Sequence, residues 1–326
     1  MASKPSPSST EPAELGVVVV SYNTRELLAR CLASVSAEAA RSGVRAEVWV
    51  VDNASRDGSA EMVRTAFPEV RLVEETANVG FAAANNVVLR RWLAPGGRPP
   101  RWLLLLNPDA ELTPGSLARL ITGLSSQPGA GLAGPSLRYP DGGFQHAAFR
   151  FPGLIQTWLD LFPVPRLMDH PLNGRYPRSR YDRAEPFAVD FPLGACLLAP
   201  GEAARQVGVL DEGFRLYCEE LDWARRFQRA GLGVVCVPAA VVIHHAGASS
   251  RQLAGESFSR LWQSRLRYFD RYEPPLRRVV LRASIRAGLA LRLLADRVAA
   301  ARGRLPAQER DARRAAYRAV FAAPGR

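Results

Sequence analysis

Lysine is nearly missing from this chain: Lys4 is its single lysine, and the other basic residues are all Arg. Cysteine is scarce too. Cys31, Cys196, Cys218 and Cys236 form no C-x-x-C pair and no zinc-type spacing, which excludes a disulfide framework and a structural zinc centre. They read as small apolar fillers in a reducing compartment. No uninterrupted apolar run of 18 or more residues occurs, so no transmembrane helix is expected. The N-terminus is rich in Ser and Pro and has no apolar run. Residues 1–13 are therefore expected to be a disordered tail rather than a signal or an anchor, and the expected location is the cytoplasm.

What the chain does have is length and patterned hydrophobicity. Its 326 residues, 47% hydrophobic, suit one large α/β domain, alone or with an appendage. The net charge of +12 is unevenly placed. From Arg260 to Arg326 there are 17 Arg against 5 acidic residues, which accounts for the whole excess and leaves the preceding chain balanced.

The first half alternates two periodicities. Leu15–Tyr22 (LGVVVVSY), Ala46–Asp52, Val70–Glu74 and Arg101–Leu106 read as buried strands. Between and after them, Arg25–Val35, Asp57–Phe67, Gly80–Leu93 and Pro114–Leu124 read as helices, the first with Thr24 as its cap. Repeated βα units with short connections imply a mostly parallel sheet with helices on both faces. Residues 139–186, rich in Pro, Gly, Arg and aromatics, have little regular period. A stretch that long without clear elements is expected to be functional or mobile. Order returns in a strand-like Phe187–Ala199, a helix Glu219–Ala230 and a strand Gly233–Val237. Arg-studded helices follow from Phe258 onward.

In open parallel sheets, ligands bind beyond the carboxyl ends of the strands. The polar residues expected there are Ser21-Tyr22-Asn23, Asp52-Asn53, Asn78 and Asn107-Pro108-Asp109. Any one of them is open to reading as an ordinary helix cap or turn; four along one edge make a coherent site. Asp109 suits a hard divalent cation bridging a diphosphate, which takes one or two protein carboxylates. Farther on, Glu219, Glu220 and Asp222 open a helix, where the dipole favours negative charge. Asp222 has Arg226 at i+4 and reads as an ion-pair partner. Glu220 has no such helical neighbour, which leaves it the better general base, with Glu219 and Asp222 as weaker alternatives. His244 and His245 end an apolar run; either can be a metal ligand or a satisfied core residue.

Together these segments resemble the family 2 inverting glycosyltransferases of the GT-A (nucleotide-diphospho-sugar transferase) fold, particularly the rhamnosyltransferase-like branch. The resemblance is carried by VVVVSYNTRELLARCLASV (17–35), VVDNASRDGS (50–59), NVGFAAANN (78–86) and LLLLNPDAEL (103–112). It continues in PLGACLLAP (192–200), DEGFRLYCEELDWARRFQRAG (211–231) and IHHAGAS (243–249). It implies a catalytic domain over residues 14–256 and an Arg-rich helical extension over 257–326. It also implies that Asp52 bonds a pyrimidine base, with the backbone of Val20, Ser21 and Tyr22 lining that pocket and Asn78 and Gly80 near the donor. Asn107-Pro108-Asp109 then corresponds to D-x-D, with Asp109 and His244 binding Mg²⁺ or Mn²⁺. Gly194 and Ala195 form a wall beside donor and acceptor, and Glu220 is the base.

Three departures from the family pattern matter. Asn107 replaces the first Asp of D-x-D and removes one charge from the metal site. Glu220 stands where Asp is more usual. Pro200 and Gly201 replace a basic pair after the GACLL segment. The implied donor is a dTDP-linked deoxysugar such as rhamnose, or else a UDP-hexose. The implied acceptor is a saccharide or lipid-linked saccharide of a surface polysaccharide. Residues 139–186 are a candidate acceptor loop. The Val279–Ala299 helix can rest on an anionic membrane at the inner face of the cell membrane, or pack on the catalytic domain or a second subunit. Nucleic acid is not expected, since no recognised motif accompanies the Arg cluster. The rival class, a silent nucleotide-sugar-binding scaffold, is disfavoured by the presence of Asp52, Asp109, Glu220 and His244.

Overall fold

A computed structural model describes residues 13–247 and 254–322. Residues 1–12 of the tail expected at the N-terminus, and Ala248 and Ser249 at the end of the last matching segment, lie outside these residues.

The chain opens with β1 (Leu15–Ser21), α1 (Arg25–Ser42), β2 (Ala46–Asp52), α2 (Ser59–Ala66), β3 (Arg71–Glu74), α3 (Phe81–Leu93) and β4 (Trp102–Leu106). These match the expected elements to within a few residues, except that α1 runs to Ser42. Thr24 does occupy the N-cap position, but its hydroxyl bonds Ser21 Oγ at 3.0 Å rather than the helix backbone. The exposed N–H of Arg25 is taken instead by Asp57 Oδ2 at 2.8 Å. Next come β5 (Ala110–Leu112), α4 (Ser116–Ser125) and β6 (Ala130–Arg138), a strand whose Gly- and Pro-containing sequence hides it from pattern reading.

The stretch 139–186 is more ordered than expected. It holds β7 (Phe144–Gln145), β8 (Ala148–Phe149), the helix α5 (Leu154–Leu161) and the short α6 (Arg178–Tyr181). The strand-like 187–199 stretch divides into β9 (Phe187–Ala188), β10 (Phe191–Pro192) and β11 (Cys196–Pro200). Then follow α7 (Gly201–Val207), α8 (Glu219–Arg229) and β12 (Gly233–His244). β12 passes Pro238 with a register shift between Val237 and Val241, so the strand reaches its terminal histidine. Three helices complete the chain: α9 (Ala254–Tyr272), α10 (Pro275–Ala301) and α11 (Ala307–Phe321).

The main sheet runs β3-β2-β1-β4-β11-β6-β12-β5. Its first four strands are parallel, as expected, because each is fed by a helical crossover. β11 lies antiparallel between β4 and β6, and β5 antiparallel to β12, so the sheet is mixed rather than mostly parallel. Helices α1, α2 and α4 pack together as one layer and α3, α7 and α8 as another. Between them Val17–Val19 and Leu103–Leu105 are fully buried, which is why these strands are continuous apolar runs.

The Arg-rich helices are built onto this core. Arg267 and Arg271 pair with Asp211, Arg265 with Asp160, and Ser264 Oγ donates to Leu216 O at 2.9 Å. Helix α10 packs on α5, and Arg292 donates to Leu161 O at 2.7 Å. Of the readings open for this region, packing on the catalytic unit is what the structure displays. Among the described residues no helix is long and apolar enough to cross a membrane.

Candidate active site

The polar strand ends meet as expected on one edge of the sheet. Asn53, just beyond β2, donates through Nδ2 to Asn78 Oδ1 at 3.1 Å and accepts from Val79 N–H at 2.8 Å. Asn78 Oδ1 also accepts from Gly80 N–H at 3.1 Å. Gly80 has φ 92°, and a Cβ there would stand 2.6 Å from Arg215 O, so only glycine fits. The Asn107 N–H donates to Ala195 O at 2.9 Å, tying the wall segment 194–195 to the end of β4. Val20, Tyr22, Asn78, Gly80, Asn107, Asp109, Gly194, Ala195, Glu219, Glu220 and His244 all line one cleft of about 240 Å³.

Two expected residues stand just outside it. Ser21 is buried with its hydroxyl on Thr24, so it serves the turn rather than the cleft. Asp52 is its register partner across β1 and β2. One Asp52 carboxylate oxygen accepts from Ser55 N–H at 3.0 Å; the other is buried with no hydrogen-bond partner among the described residues. A buried acceptor left open costs free energy unless a ligand fills it.

Across the cleft, β12 and the loop after β4 bring His244 Nε2 to 3.3 Å from Asp109 Oδ1, both nearly buried. Gln145 Oε1 lies 3.2 Å from His244 Nδ1. These contacts orient the ring with Nδ1 toward Gln145 and Nε2 toward Asp109. That is how a second group orients a metal-binding imidazole. His245, by contrast, is held by Glu111 at 2.7 Å and braces β5. Among the described residues no three His, Cys, Asp or Glu cluster as a closed metal cage. The Asp109–His244 pair instead suits a cation that takes its remaining ligands from a diphosphate and water.

The acidic trio of α8 divides by environment. Asp222 is fully buried and committed: Arg226 Nε lies at 2.8 Å, Tyr272 Oη at 2.6 Å and Arg271 at 3.2 Å. It does not line the cleft, so the expectation of Asp222 as an alternative base is not supported. Glu219 and Glu220 do line it. Burial, joined by the neighbouring Glu220 charge, pushes Glu219 well above the usual carboxylate range, and its Oε2 has no partner among the described residues. Burial pushes Glu220 up to about 7, against the backbone N–H groups of the helix start and the charge of Arg265. Gly194 lies over Glu220, its Cβ position 3.4 Å from that of the glutamate, so the wall there stays low beside the carboxylate. The pair is presented by two successive left-handed residues, Tyr217 and Cys218, each at φ 67°. Such strain in non-glycine residues is concentrated at functional sites.

Sequence reading missed Gln145, Arg215, Tyr217 and Arg260. Gln145 lies in a stretch without period, and Arg260 was legible only as one of many Arg. Asn53 was legible as a polar strand end, but its role as the clamp on Asn78 was not.

Comparison with known proteins agrees with this geometry. Residues 16–198 match the family described as Glycosyl transferase family 2. The chain is 32% identical over 283 residues to N-acetylglucosaminyl-diphospho-decaprenol L-rhamnosyltransferase of Mycobacterium tuberculosis, covering 85% of this chain and 91% of that protein. Two solved structures share the fold. One is a mannosyltransferase of Pyrobaculum calidifontis in complex with GDP-Man and Mn²⁺ (TM-score 0.55, 22% identity, 97% of this chain and 86% of that one). The other is GalNAc-T7 with UDP, GalNAc and Mn²⁺ (TM-score 0.53, 17% identity, 72% and 43%). With the family matched over more than half its length, this chain belongs to glycosyl transferase family 2, as a rhamnosyltransferase-like glycosyltransferase of the GT-A fold.

Proposed function

We propose that the protein transfers rhamnose from dTDP-rhamnose to a hydroxyl of a lipid-diphosphate-linked saccharide, with inversion at the anomeric carbon and with a divalent cation. The observation that carries this reading is the facing of two site halves across one cleft: Asp109 with His244, and Glu219 with Glu220. The 32%-identical relative, named for rhamnosyl transfer to such a lipid, supports the choice of donor and acceptor.

Each residue then has a task. The open oxygen of Asp52 accepts an N–H from the pyrimidine base. Asn78, clamped by Asn53, and Gly80 border the donor sugar. Asp109 and the Nε2 of His244 hold Mg²⁺ or Mn²⁺, which when bound supplies a Lewis acid for the departing diphosphate. Glu220 takes the proton of the acceptor hydroxyl as that oxygen attacks. Its raised pKa suits the role, since a base poised near neutrality balances ionisation against proton affinity.

The C-terminal helices fit work at a membrane surface. Helix α10 leaves Leu276 79%, Val279 62%, Leu291 50% and Leu294 57% exposed, flanked by exposed Arg277, Arg286 and Arg297. Exposed Ile155 of α5 adds to them. An apolar strip with Arg beside it is the composition of a helix lying on anionic lipid.

A thermal-shift titration tests the core of this reading. Stabilisation by dTDP-rhamnose that depends on Mn²⁺ or Mg²⁺ and is lost in Asp109→Ala is the expected result. No stabilisation by any nucleotide sugar with metal present would contradict it.

A further inference from the structure

A second cleft, of about 790 Å³, opens beside the first, between the 213–215 loop, helix α9 and the end of α11. Four guanidinium groups line it: Arg215, Arg260, Arg267 and Arg271. Arg215 and Arg260 line the catalytic cleft as well, so the two are continuous. On α9 the spacing 260, 267, 271 keeps the three Arg on one helix face. At 1.5 Å per residue, Arg267 lies about 10 Å and Arg271 about 16 Å along the axis from Arg260.

The acidic groups nearby do not cancel this charge. Asp270, the one acid lining the cleft among the described residues, is engaged at both carboxylate oxygens by one guanidinium edge of Arg282 from α10. Asp211 is shared by Arg267 and Arg271, and Arg271 also reaches Asp222, which Arg226 already engages. Glu256 pairs with Arg260 at 2.6 Å but is 59% exposed, a pairing that water screens. Arg215 makes no ion pair among the described residues. Arg267 meets Asp211 through one terminal nitrogen, and its buried Nε has no partner. Room for this guanidinium comes from Gly213, where a Cβ would stand 2.1 Å from it.

We infer that this basic cleft holds the diphosphate of the lipid-linked acceptor. The saccharide then enters the catalytic cleft past Arg215 and Arg260, and the lipid leaves toward the exposed apolar start of α10 at Leu276, Val279 and Val280. This rests on the lipid-diphosphate acceptor proposed above. Arg suits the task because its planar fork bonds two phosphate oxygens at once and stays charged at any working pH. Arg267 arrives already oriented by Asp211, so little freedom is lost when the anion binds.

The test is calorimetric binding of farnesyl diphosphate, farnesol and inorganic pyrophosphate to the full chain, with dTDP and Mg²⁺ present to fill the donor side. Farnesyl diphosphate should bind at least about tenfold tighter than either fragment, and more weakly as salt rises. The double variant Arg215→Gln/Arg260→Gln should lose about tenfold or more. Gln263→Glu, which adds an opposing charge at an exposed position of the same cleft, should act in the same direction without removing any ion pair.

Unchanged affinity in both variants would overturn the inference. So would pyrophosphate binding as tightly as the farnesyl ester, which would mark a free-anion site. Loss of binding to phosphatidylglycerol vesicles without loss of farnesyl diphosphate affinity would assign the cleft to headgroups instead, and also overturn it. Stabilisation by dTDP-rhamnose without farnesyl diphosphate binding breaks this inference alone; absence of any donor effect breaks the transferase reading.

Discussion

The two sides of the cleft are built by different means. The donor side is fixed mainly by backbone, with the Asn53–Asn78 clamp added: parallel register puts Ser21 beside Asp52, Asn53 N–H donates to Ser21 O, and Asn107 N–H to Ala195 O. The acceptor side is fixed by side chains. Asp222 anchors α8 to Arg226, Tyr272 and Arg271, while Arg267 and Ser264 of α9 hold the loop before it. Backbone ladders tolerate substitution because every residue supplies the same groups. Side-chain networks change whenever one partner changes. A fold made this way keeps one way of holding a nucleotide and varies what it glycosylates.

The sharpest way to break this comparison is at the acceptor-side carboxylates. Glu220→Gln should lower kcat by about 10²–10⁴, the range for loss of a general base. Because it removes a charge that its half-buried setting disfavours, it should not lower the melting temperature. Donor-induced stabilisation should persist, since that belongs to the other side. An equal loss of donor binding would mean the two sides are not separable.

Two positions along the same helix, Asp222 should behave oppositely. Asp222→Asn leaves Arg226 and Arg271 short of a buried partner and should cost about 3 kcal/mol of stability. In the folded fraction kcat should stay within a few-fold, because Asp222 does not line the cleft. Denaturant unfolding paired with turnover at low temperature checks both halves of that expectation. The smallest effect is expected at the surface: Leu276→Glu/Val279→Glu should leave turnover of a short-chain acceptor unchanged but reduce flotation with anionic liposomes. Equal flotation of this variant and the parent chain would remove α10 from membrane contact.

The same division explains what was legible in the sequence. The donor side is written in local pattern: an apolar run ending in Asp52, a leucine run leading into Asn107-Pro108-Asp109, and Asn78 four residues past β3. Glu220 was also legible, because the missing i+4 partner separates it from Asp222 within one helical turn. The rest depends on long-range placement. Gln145 reaches His244 across 99 residues of chain, and Arg260 and Arg215 become neighbours only once α9 docks on the loop. Strand β6 escaped because a strand buried in the middle of a sheet can be built from small residues, and AGLAGPSLR carries little β-branched signal. Helix α9 was legible as an Arg-studded helix; which of its Arg face the cleft, and which face Asp160 or Asp211, is decided by tertiary packing.

The most direct test of the central claim, that the half-buried acceptor-side carboxylate of Glu220 is the base, is the pH dependence of kcat at saturating donor, acceptor and metal. Burial raises the Glu220 carboxyl from its ordinary value near 4.5 to about 7. Over that window the folded state holds a proton that the unfolded chain has released, so stability should fall as pH rises. Turnover should move the other way, rising with the ionised base toward a plateau, with a midpoint near 7 that is absent from the residual activity of Glu220→Gln. A kcat that is flat or falling between pH 5.5 and 8.5, or a rising limb that survives in Glu220→Gln, would contradict the account.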